Sequence, residues 1–358
     1  MTAGEPVAAR GRNYSPWYSW MVKLGATRLE DPLPLEELES ADSSHAGDVL
    51  AAWLARRRRC LEELLGPLPE RVAPNFETIE RVECARYTRE KVVFDTEVTM
   101  SVPAYLLVPH HRSTPGPAVL AVHGHGPGKS HAVGLEVTET PGGDYAHQLA
   151  ERGFLVLAPD LRCFGERADW NPPDHYGCDT NLVHAVMAGA TPLAQNLWDL
   201  ARALDVLESQ LLVDPTRIGV AGVSLGGTMS LFLAAWDHRV SAAVVSGYFS
   251  SWAESHRMPW NMCGSQVLPG MLGRIEHVDL GALVAPRSLL IESGASDDLF
   301  PVAVASAEFE KLRKVYEFVG SPERVEHAVF EGGHQWNGAA YGWLERWLGT
   351  DDRARPDG

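Results

Sequence analysis

The sequence contains few cysteines, and none of them has the C-x-x-C spacing of many metal and redox sites. Their number, 5, is odd, so we expect free thiols in a reducing compartment rather than a disulfide framework. The G-x-G-x-x-G fingerprint and the P-loop are also missing, and we expect neither a metal nor another cofactor. One short stretch collects possible ligand residues, but its spacing matches no metal-binding pattern: Asp174, His175, Cys178, Asp179 and His184.

Long apolar runs and positive charge are scarce too. No uninterrupted apolar run could cross a bilayer, and the N-terminus lacks the basic start and apolar segment of a signal peptide. The 31 Lys and Arg residues are outnumbered by 47 Asp and Glu, which gives a formal net charge of −16. This charge argues against nucleic acid or an anionic membrane as a partner. We expect a cytoplasmic protein.

Short apolar runs alternate with helical patterns through most of the 358 residues. Residues 79–108 are rich in Val, Thr, Tyr and Phe and predict two or three antiparallel strands. Further strands are predicted at 118–123, 154–158, 218–221, 242–245, 288–292 and 325–330. The helices between and after them are predicted at 144–152, 193–211, 228–236, 302–316 and 339–348. This order predicts an α/β fold, with a mostly parallel sheet covered by helices on both faces.

The ends of the chain differ in composition from its middle. Residues 1–74 predict a helical extension or a partial cap, with a helix at 46–65, and 351–358 predict a disordered tail. An aromatic patch near the N-terminus is too apolar for a free tail. We expect it to pack on the main domain or on a second subunit in a homodimer, and less readily over the active site: Tyr14, Trp17, Tyr18, Trp20 and Met21.

The stretch that organises the chain is a G-x-S-x-G motif at Gly222, Ser224 and Gly226. An apolar strand precedes it and a predicted helix follows, which is the context of a nucleophile elbow. Such a turn holds the serine in a strained backbone conformation, and side chains two residues before and after it would clash. We therefore predict that Ser224 is a nucleophile at the N-terminus of a helix.

A serine nucleophile on this fold needs an acid and then a histidine later in the chain. Asp297 follows the strand at 288–292, and an Asp in such a loop can fix the tautomer of a histidine. Its neighbour Asp298 is the less favoured alternative. The glycines before His334 allow that loop to return over Ser224, whereas His327 lies inside a strand and is a poorer base.

An oxyanion hole needs two backbone N–H donors beside the nucleophile. We predict the N–H of Leu225, directly after Ser224, and the N–H of His125, in the glycine-rich loop that follows an early strand. The side chains of His123 and His125 are expected to be structural rather than ligands.

These motifs resemble the α/β-hydrolase superfamily, in the branch of dienelactone hydrolases and acetyl xylan esterases. The resemblance covers roughly residues 75–350 and implies an α/β-hydrolase catalytic domain there. It rests on H-G-H-G-P-G-K, P-D-L-R-C-F-G-E-R, G-V-S-L-G-G, A-P-R-S-L-L, a G-x-x-D turn and G-G-H. Ser224 replaces the cysteine of dienelactone hydrolases, which favours ester chemistry, and Cys163 stands where a glycine is expected.

Residues 247–286 form an insertion rich in Trp, Met, Cys and Pro. It follows a strand, so we interpret it as a lid or pocket wall at the ligand-binding edge of the sheet, with a subunit contact as the alternative. The predicted substrate-binding residues are aromatic: Tyr248, Trp252, Trp260 and Trp336.

Together the motifs predict a serine hydrolase that cleaves a small or medium carboxylic ester through an acyl-enzyme, as acetyl xylan esterases do. The same triad could instead act on a C–C, amide or thioester bond. A third reading is a non-catalytic binding protein on the same fold, because fold alone does not fix function.

Overall fold

The structure is a computed structural model that describes residues 27–136, 142–171, 175–252 and 262–349, together with Pro16, Ser19 and Lys23. Four parts of the predictions lie outside these residues. They are the aromatic patch at 14–21, Asp174, Trp260 and the tail at 351–358. Within the described residues, no helix combines the length and the apolarity that a membrane crossing requires.

The centre of the fold is a nine-stranded sheet with the order β1-β2-β3-β5-β4-β6-β7-β8-β9. β2 pairs antiparallel with both β1 and β3, and β3 also pairs antiparallel with β5. All later pairs are parallel, as the alternation of strands and helices predicts. The strands are β1 Glu77–Glu83, β2 Tyr87–Glu97, β3 Met100–Pro109, β4 Gly116–Val122, β5 Leu155–Pro159, β6 Val213–Val223, β7 Val240–Ser246, β8 Ser288–Gly294 and β9 Val325–Phe330.

Helices cover both faces of this sheet. The bounds are α1 Leu35–Ser40, α2 Ser43–Leu65, α3 Lys129–Ala132, α4 Tyr145–Glu151, α5 Gly177–Met187, α6 Pro192–Ser209, α7 Leu225–Trp236, α8 His277–Val284, α9 Val302–Phe318 and α10 Ala339–Leu348. Side chains of α2, α6, α7, α8 and α9 share one core with the sheet, and those of α4 and α10 share a second. Alternate residues of β4 enter the two cores, so this strand is buried on both faces.

The N-terminal segment packs against the helices on one face of the sheet. Helix α2 contacts α7 and α8, and Trp53 and Leu61 in it are fully buried in the larger core. Arg57 donates to Asp31 at 2.6 Å and to the carbonyl of Arg274 at 2.6 Å, which joins α2 to the segment before α8. The predicted helix at 46–65 is thus present within α2, as part of the main core.

The last part of the predicted insertion is a helix of the layer that covers the sheet. The end of the 247–286 stretch is α8, the crossover helix between β7 and β8, and all of its residues are buried against α7 and α9. It therefore belongs to the helical layer and not to a lid. Uniform burial leaves no amphipathic period in the sequence, which explains why this helix was not predicted.

Candidate active site

Ser224 occupies a strained turn between β6 and α7. Its φ is +58° and its ψ is −119°, one of few left-handed conformations at a non-glycine residue among the described residues. A Cβ on Gly222 would lie 2.5 Å from the carbonyl oxygen of Val122, and one on Gly226 would lie 1.9 Å from the same atom. Only glycine fits at these two positions. The turn therefore has the steric form that the G-x-S-x-G motif predicts.

His334 and Asp297 meet at the end of the sheet next to this turn. The Nδ1 of His334 is 2.9 Å from Oδ2 of Asp297. The other carboxylate oxygen, Oδ1, accepts the backbone N–H groups of Leu299 and Phe300 at 2.9 and 3.1 Å, so the carboxylate is held in place from both sides. Asp298, the alternative acid, is exposed, and this arrangement favours Asp297.

The Nε2 of His334 is buried and makes no hydrogen bond to any described residue. An imidazole whose Nδ1 is held by a carboxylate and whose Nε2 has no partner is the expected form of a general base. Its Nε2 can accept a proton from the nucleophile or the substrate. His327 has a different partner, since its Nε2 lies 3.0 Å from the Ser293 hydroxyl.

Ser224 and His334 line one cavity of about 370 Å³. Residues that the sequence did not single out complete its wall, among them Leu299 and Phe300, which follow Asp297 in the same loop. Their closeness to the predicted acid is a signal that could have identified them. Met262 and Gln266, which also line the cavity, come from the predicted insertion, whereas Tyr176 has no such signal in the sequence.

The two predicted oxyanion donors lie beside Ser224. Leu225 is the first residue of α7, and N–H groups in a first helical turn have no acceptor within their helix. The loop of His125 passes against the elbow, because a Cβ on Gly124 would lie 3.5 Å from Cβ of Ser224 and 2.9 Å from the carbonyl of Val223. His125 itself lines the cavity.

The side chain of His123 is structural, as predicted. Its Nε2 accepts the backbone N–H of Leu161 at 2.9 Å, and its Nδ1 donates to the carbonyl of Gly124 at 2.7 Å. Complete burial lowers the pKa of His123 to about 4, so the ring is neutral. Its role is to hold the loop before His125.

Three of the four predicted substrate-binding aromatics, Tyr248, Trp252 and Trp336, do not line this cavity, and the fourth, Trp260, lies outside the described residues. Trp336 lies behind the lining residue Tyr145, and the two rings stack at 4.4 Å. Tyr248 packs behind the lining residue Phe300, and Trp252 donates its indole N–H to the carbonyl of Ile275. All three are almost completely buried because they fill the core under the site. Of the insertion, residues 262, 263 and 266 do form cavity wall.

A buried ion network fixes the loop that carries His125. Lys129, at the end of the H-G-H-G-P-G-K motif, contacts Asp160 at 2.5 Å and Glu166 at 2.6 Å, and both partners belong to P-D-L-R-C-F-G-E-R. A Cβ on either Gly128 or Gly165 would collide with the Asp160 carboxylate. The two motifs thus interlock. The sequence showed the motifs but not that they pair.

Glu292 is a second group that the sequence did not reveal. It lies at the carboxyl end of β8 under the elbow, where its Oε1 accepts the N–H of Ala340 at 3.1 Å. Its backbone carbonyl accepts the N–H of Gly247, next to Ser246, whose own carbonyl accepts the N–H of Ser224. Burial raises the pKa of Glu292 to about 8. Burial therefore favours the protonated, neutral form of this side chain.

Fold and site together define the class of the protein. A serine at a strand–turn–helix elbow, with an Asp–His pair from two later loops, is the arrangement of the α/β-hydrolases. The model of the Abhydrolase family matches residues 25–335, and the chain belongs to that family. The superfamily assignment drawn from the motifs is confirmed.

Two curated relatives come from Bacillus subtilis (strain 168). The one named "Putative hydrolase YtaP" is 28% identical over 308 residues, which cover 82% of this chain and 99% of the relative. The one named "Putative esterase YitV" is 25% identical over 247 residues, which cover 61% of this chain and 85% of the relative.

Solved structures share the fold. A "putative acetyl xylan esterase" from Bacteroides fragilis NCTC 9343 has a TM-score of 0.73 at 20% identity, and the match covers 97% of this chain and 93% of that one. A glucuronoyl esterase from Solibacter usitatus has a TM-score of 0.61 at 17% identity, with 84% and 92% covered. At such identities the comparison establishes the fold and leaves the substrate open.

Proposed function

We propose that this chain is a serine hydrolase that cleaves a carboxylic ester of a small or medium substrate through an acyl-enzyme. The observation that carries the proposal is the strained Ser224 in one cavity with His334, whose Nδ1 is held by Asp297. The names of the structural neighbours, which are esterases, support the choice of an ester over other acyl compounds. A cavity of about 370 Å³ suits an acyl group of modest size.

The first half of the reaction forms the acyl-enzyme. Oγ of Ser224 attacks the ester carbonyl while Nε2 of His334 takes its proton. Asp297 stabilises the imidazolium through the Nδ1 hydrogen bond. The backbone N–H groups of Leu225 and His125 receive the negative charge on the carbonyl oxygen. His334 then returns the proton to the leaving alcohol as the C–O bond breaks.

The second half consumes water. His334 removes a proton from a water molecule, which attacks the acyl carbon. The proton then passes to Oγ of Ser224, and the carboxylic acid leaves. We further propose a cytoplasmic location, which the five unpaired thiols favour.

A fluorophosphonate tests for the activated serine directly. We expect intact-protein mass to show one adduct on the wild type, none on Ser224→Ala and much slower labelling of His334→Ala. A folded wild type that takes no adduct would contradict the proposal and favour a non-catalytic binding protein.

A substrate panel then tests the bond. Matched ester, thioester, amide and β-diketone compounds should be compared, and the ester is expected to have the highest kcat/KM. If only the diketone is cleaved, the triad serves C–C hydrolysis and the ester assignment fails.

A further inference from the structure

Three potential metal ligands converge on the wall of the active-site cavity. Nε2 of His125 and the Sγ atoms of Cys178 and Cys263 all lie within 4.8 Å of one another. They come from three separate parts of the fold: the loop after β4, the first turn of α5 and the segment after residue 261. His125 and Cys263 are 138 positions apart, so the spacing along the chain could not reveal the cluster.

The distances suit tetrahedral coordination. Zn²⁺ binds thiolate sulfur at about 2.3 Å and imidazole nitrogen at about 2.0 Å, which places a nitrogen and a sulfur ligand about 3.5 Å apart and two sulfurs about 3.8 Å apart. The observed distance from Nε2 of His125 to Sγ of Cys263 is 3.3 Å. Small shifts of three side chains would complete the site.

The cluster is held together by contacts that do not involve its own donor atoms. The Asp179 carboxylate accepts the backbone N–H of Gly264 at 2.8 Å, which ties the turn of Cys178 to the segment of Cys263. A Cβ on Gly264 would lie 2.4 Å from the carbonyl of Cys178, so only glycine allows this approach. The Tyr176 ring stacks on His125 at 5.5 Å and orients the imidazole. Such support is typical of built ligand sites.

We propose that His125, Cys178 and Cys263 bind one thiophilic divalent cation, Zn²⁺ in preference to Mg²⁺ or Ca²⁺. Two sulfurs and one imidazole nitrogen are the ligands that Zn²⁺ favours, and oxygen-seeking cations avoid them. Both thiols lose their protons on binding. The proposal departs from our expectation from the sequence that the protein binds no metal and that His125 has a purely structural side chain.

Three protein ligands leave one coordination position. His125 and Cys263 line the cavity, and Cys178 is 1% exposed behind them. The remaining ligand is therefore supplied from the cavity side, as a water molecule or an oxygen of a bound molecule. Because the N–H of His125 is a proposed oxyanion donor, a cation on its ring would also fix that donor in place.

Metal uptake by the full chain tests the site without any measurement of activity. The protein is stripped with a chelator under reducing, anaerobic conditions, then loaded with Zn²⁺ or Co²⁺ and desalted. We expect elemental analysis to give one metal ion per chain, and Co²⁺ to give a thiolate-to-metal charge-transfer band. Cys178→Ser and Cys263→Ser should each weaken binding by at least about tenfold. Cys84→Ser removes a thiol at the far edge of the sheet and should change nothing.

Thiol protection in the wild type guards against variants that fail to fold. Zn²⁺ should shield Cys263, which lines the cavity, from alkylation, as mapped by peptide mass, and should not change the alkylation of Cys84. Folded wild type that retains no metal and gives no charge-transfer band overturns the proposal. Formation of a Cys178–Cys263 disulfide that added Zn²⁺ does not prevent would also overturn it, and would assign the pair to redox chemistry.

Discussion

At the scale of single residues, two neighbouring aspartates provide a sharp test of the proposed triad. Asp297 is buried and contacts His334, whereas Asp298 is exposed. Asp297→Asn keeps the shape but loses the charge and the tautomer control, and we expect kcat to fall by about 10³–10⁴-fold. Asp298→Asn should stay within about twofold of the wild type. Steady-state kinetics on an activated ester measure both, and equal losses in the two variants would contradict the assignment.

Glu292 predicts a pH dependence of stability. Its pKa is raised from 4.5 to about 8 in the folded protein because the carboxyl is buried. Between these values the folded state keeps a proton that the unfolded state releases. The stabilisation is therefore fully present below about pH 4.5 and is lost as the pH rises towards 8. Its contribution to the free energy of unfolding changes by about 1.4 kcal/mol per pH unit at most.

Glu292→Gln should remove this dependence, because the amide resembles the protonated acid and does not ionise. Urea unfolding of both proteins at several pH values should show that the free energy of unfolding of the variant rises relative to that of the wild type from about pH 5 to pH 8. Asp279, whose pKa burial raises to about 7, is present in both proteins and cancels in the difference. A difference that is constant across this range would show that Glu292 does not keep its proton.

At the scale of elements, the elbow is defined by how closely its backbone approaches β4. Gly226→Ala would place a methyl group 1.9 Å from the carbonyl oxygen of Val122, and neither backbone can retreat in a buried sheet. We expect a loss of more than about 3 kcal/mol in the free energy of unfolding. In the exposed part of α10, Gly342 has no atom within 4 Å of an added Cβ. There, Gly342→Ala should raise the free energy of unfolding by about 0.5–1 kcal/mol, because alanine has the higher helix propensity.

Denaturant titration of the two glycine variants measures these opposite changes in the free energy of unfolding. The pair shares one chemical change, a single added methyl, so the contrast isolates the local backbone. If Gly226→Ala is as stable as the wild type, the elbow is looser than the structure indicates and Ser224 is not strained by it.

Elements with a clear pattern could be predicted from the sequence, and elements without one could not. The strand at 325–330 and the helix at 339–348 agree with β9 and α10, and a strong amphipathic face identifies the helix. Helix α5 was missed because it exposes Val183, Val186 and Met187, which blurs its polar face. The catalytic candidates were predictable from motif and order. The aromatic cavity residues Tyr145, Tyr176 and Phe300 were not, because they lie outside the tryptophan-rich insertion from which three of the four substrate-binding aromatics were chosen.

At the scale of the whole molecule, the site exists only because the sheet brings distant segments to one edge. His125, Ser224, Asp297 and His334 each follow the carboxyl end of a strand, namely β4, β6, β8 and β9. In a parallel sheet these ends lie side by side, which is where α/β folds place their ligands. The sequence order of the motifs therefore carries three-dimensional information that composition alone does not.

The sequence predicts either a helical extension or a partial cap at the N-terminus, and the contacts of the described part favour a structural element. Of residues 27–74, none lines the cavity, and α2 packs on α7 and α8 instead. Trp53 is fully buried there and donates its indole N–H to the carbonyl of Asp31 at 3.2 Å. This placement indicates that α2 stabilises the fold and lies outside the cavity wall.

Trp53→Ala separates the two roles. Loss of the buried indole should lower the free energy of unfolding by about 3–5 kcal/mol, measured by urea titration. At a temperature where the variant is still folded, kcat and KM should remain within about twofold of the wild type, since no cavity contact is lost. Trp170→Ala, at an indole that is 86% exposed, should affect neither quantity. A rise in KM for Trp53→Ala without a loss of stability would instead make this segment a cap over the substrate.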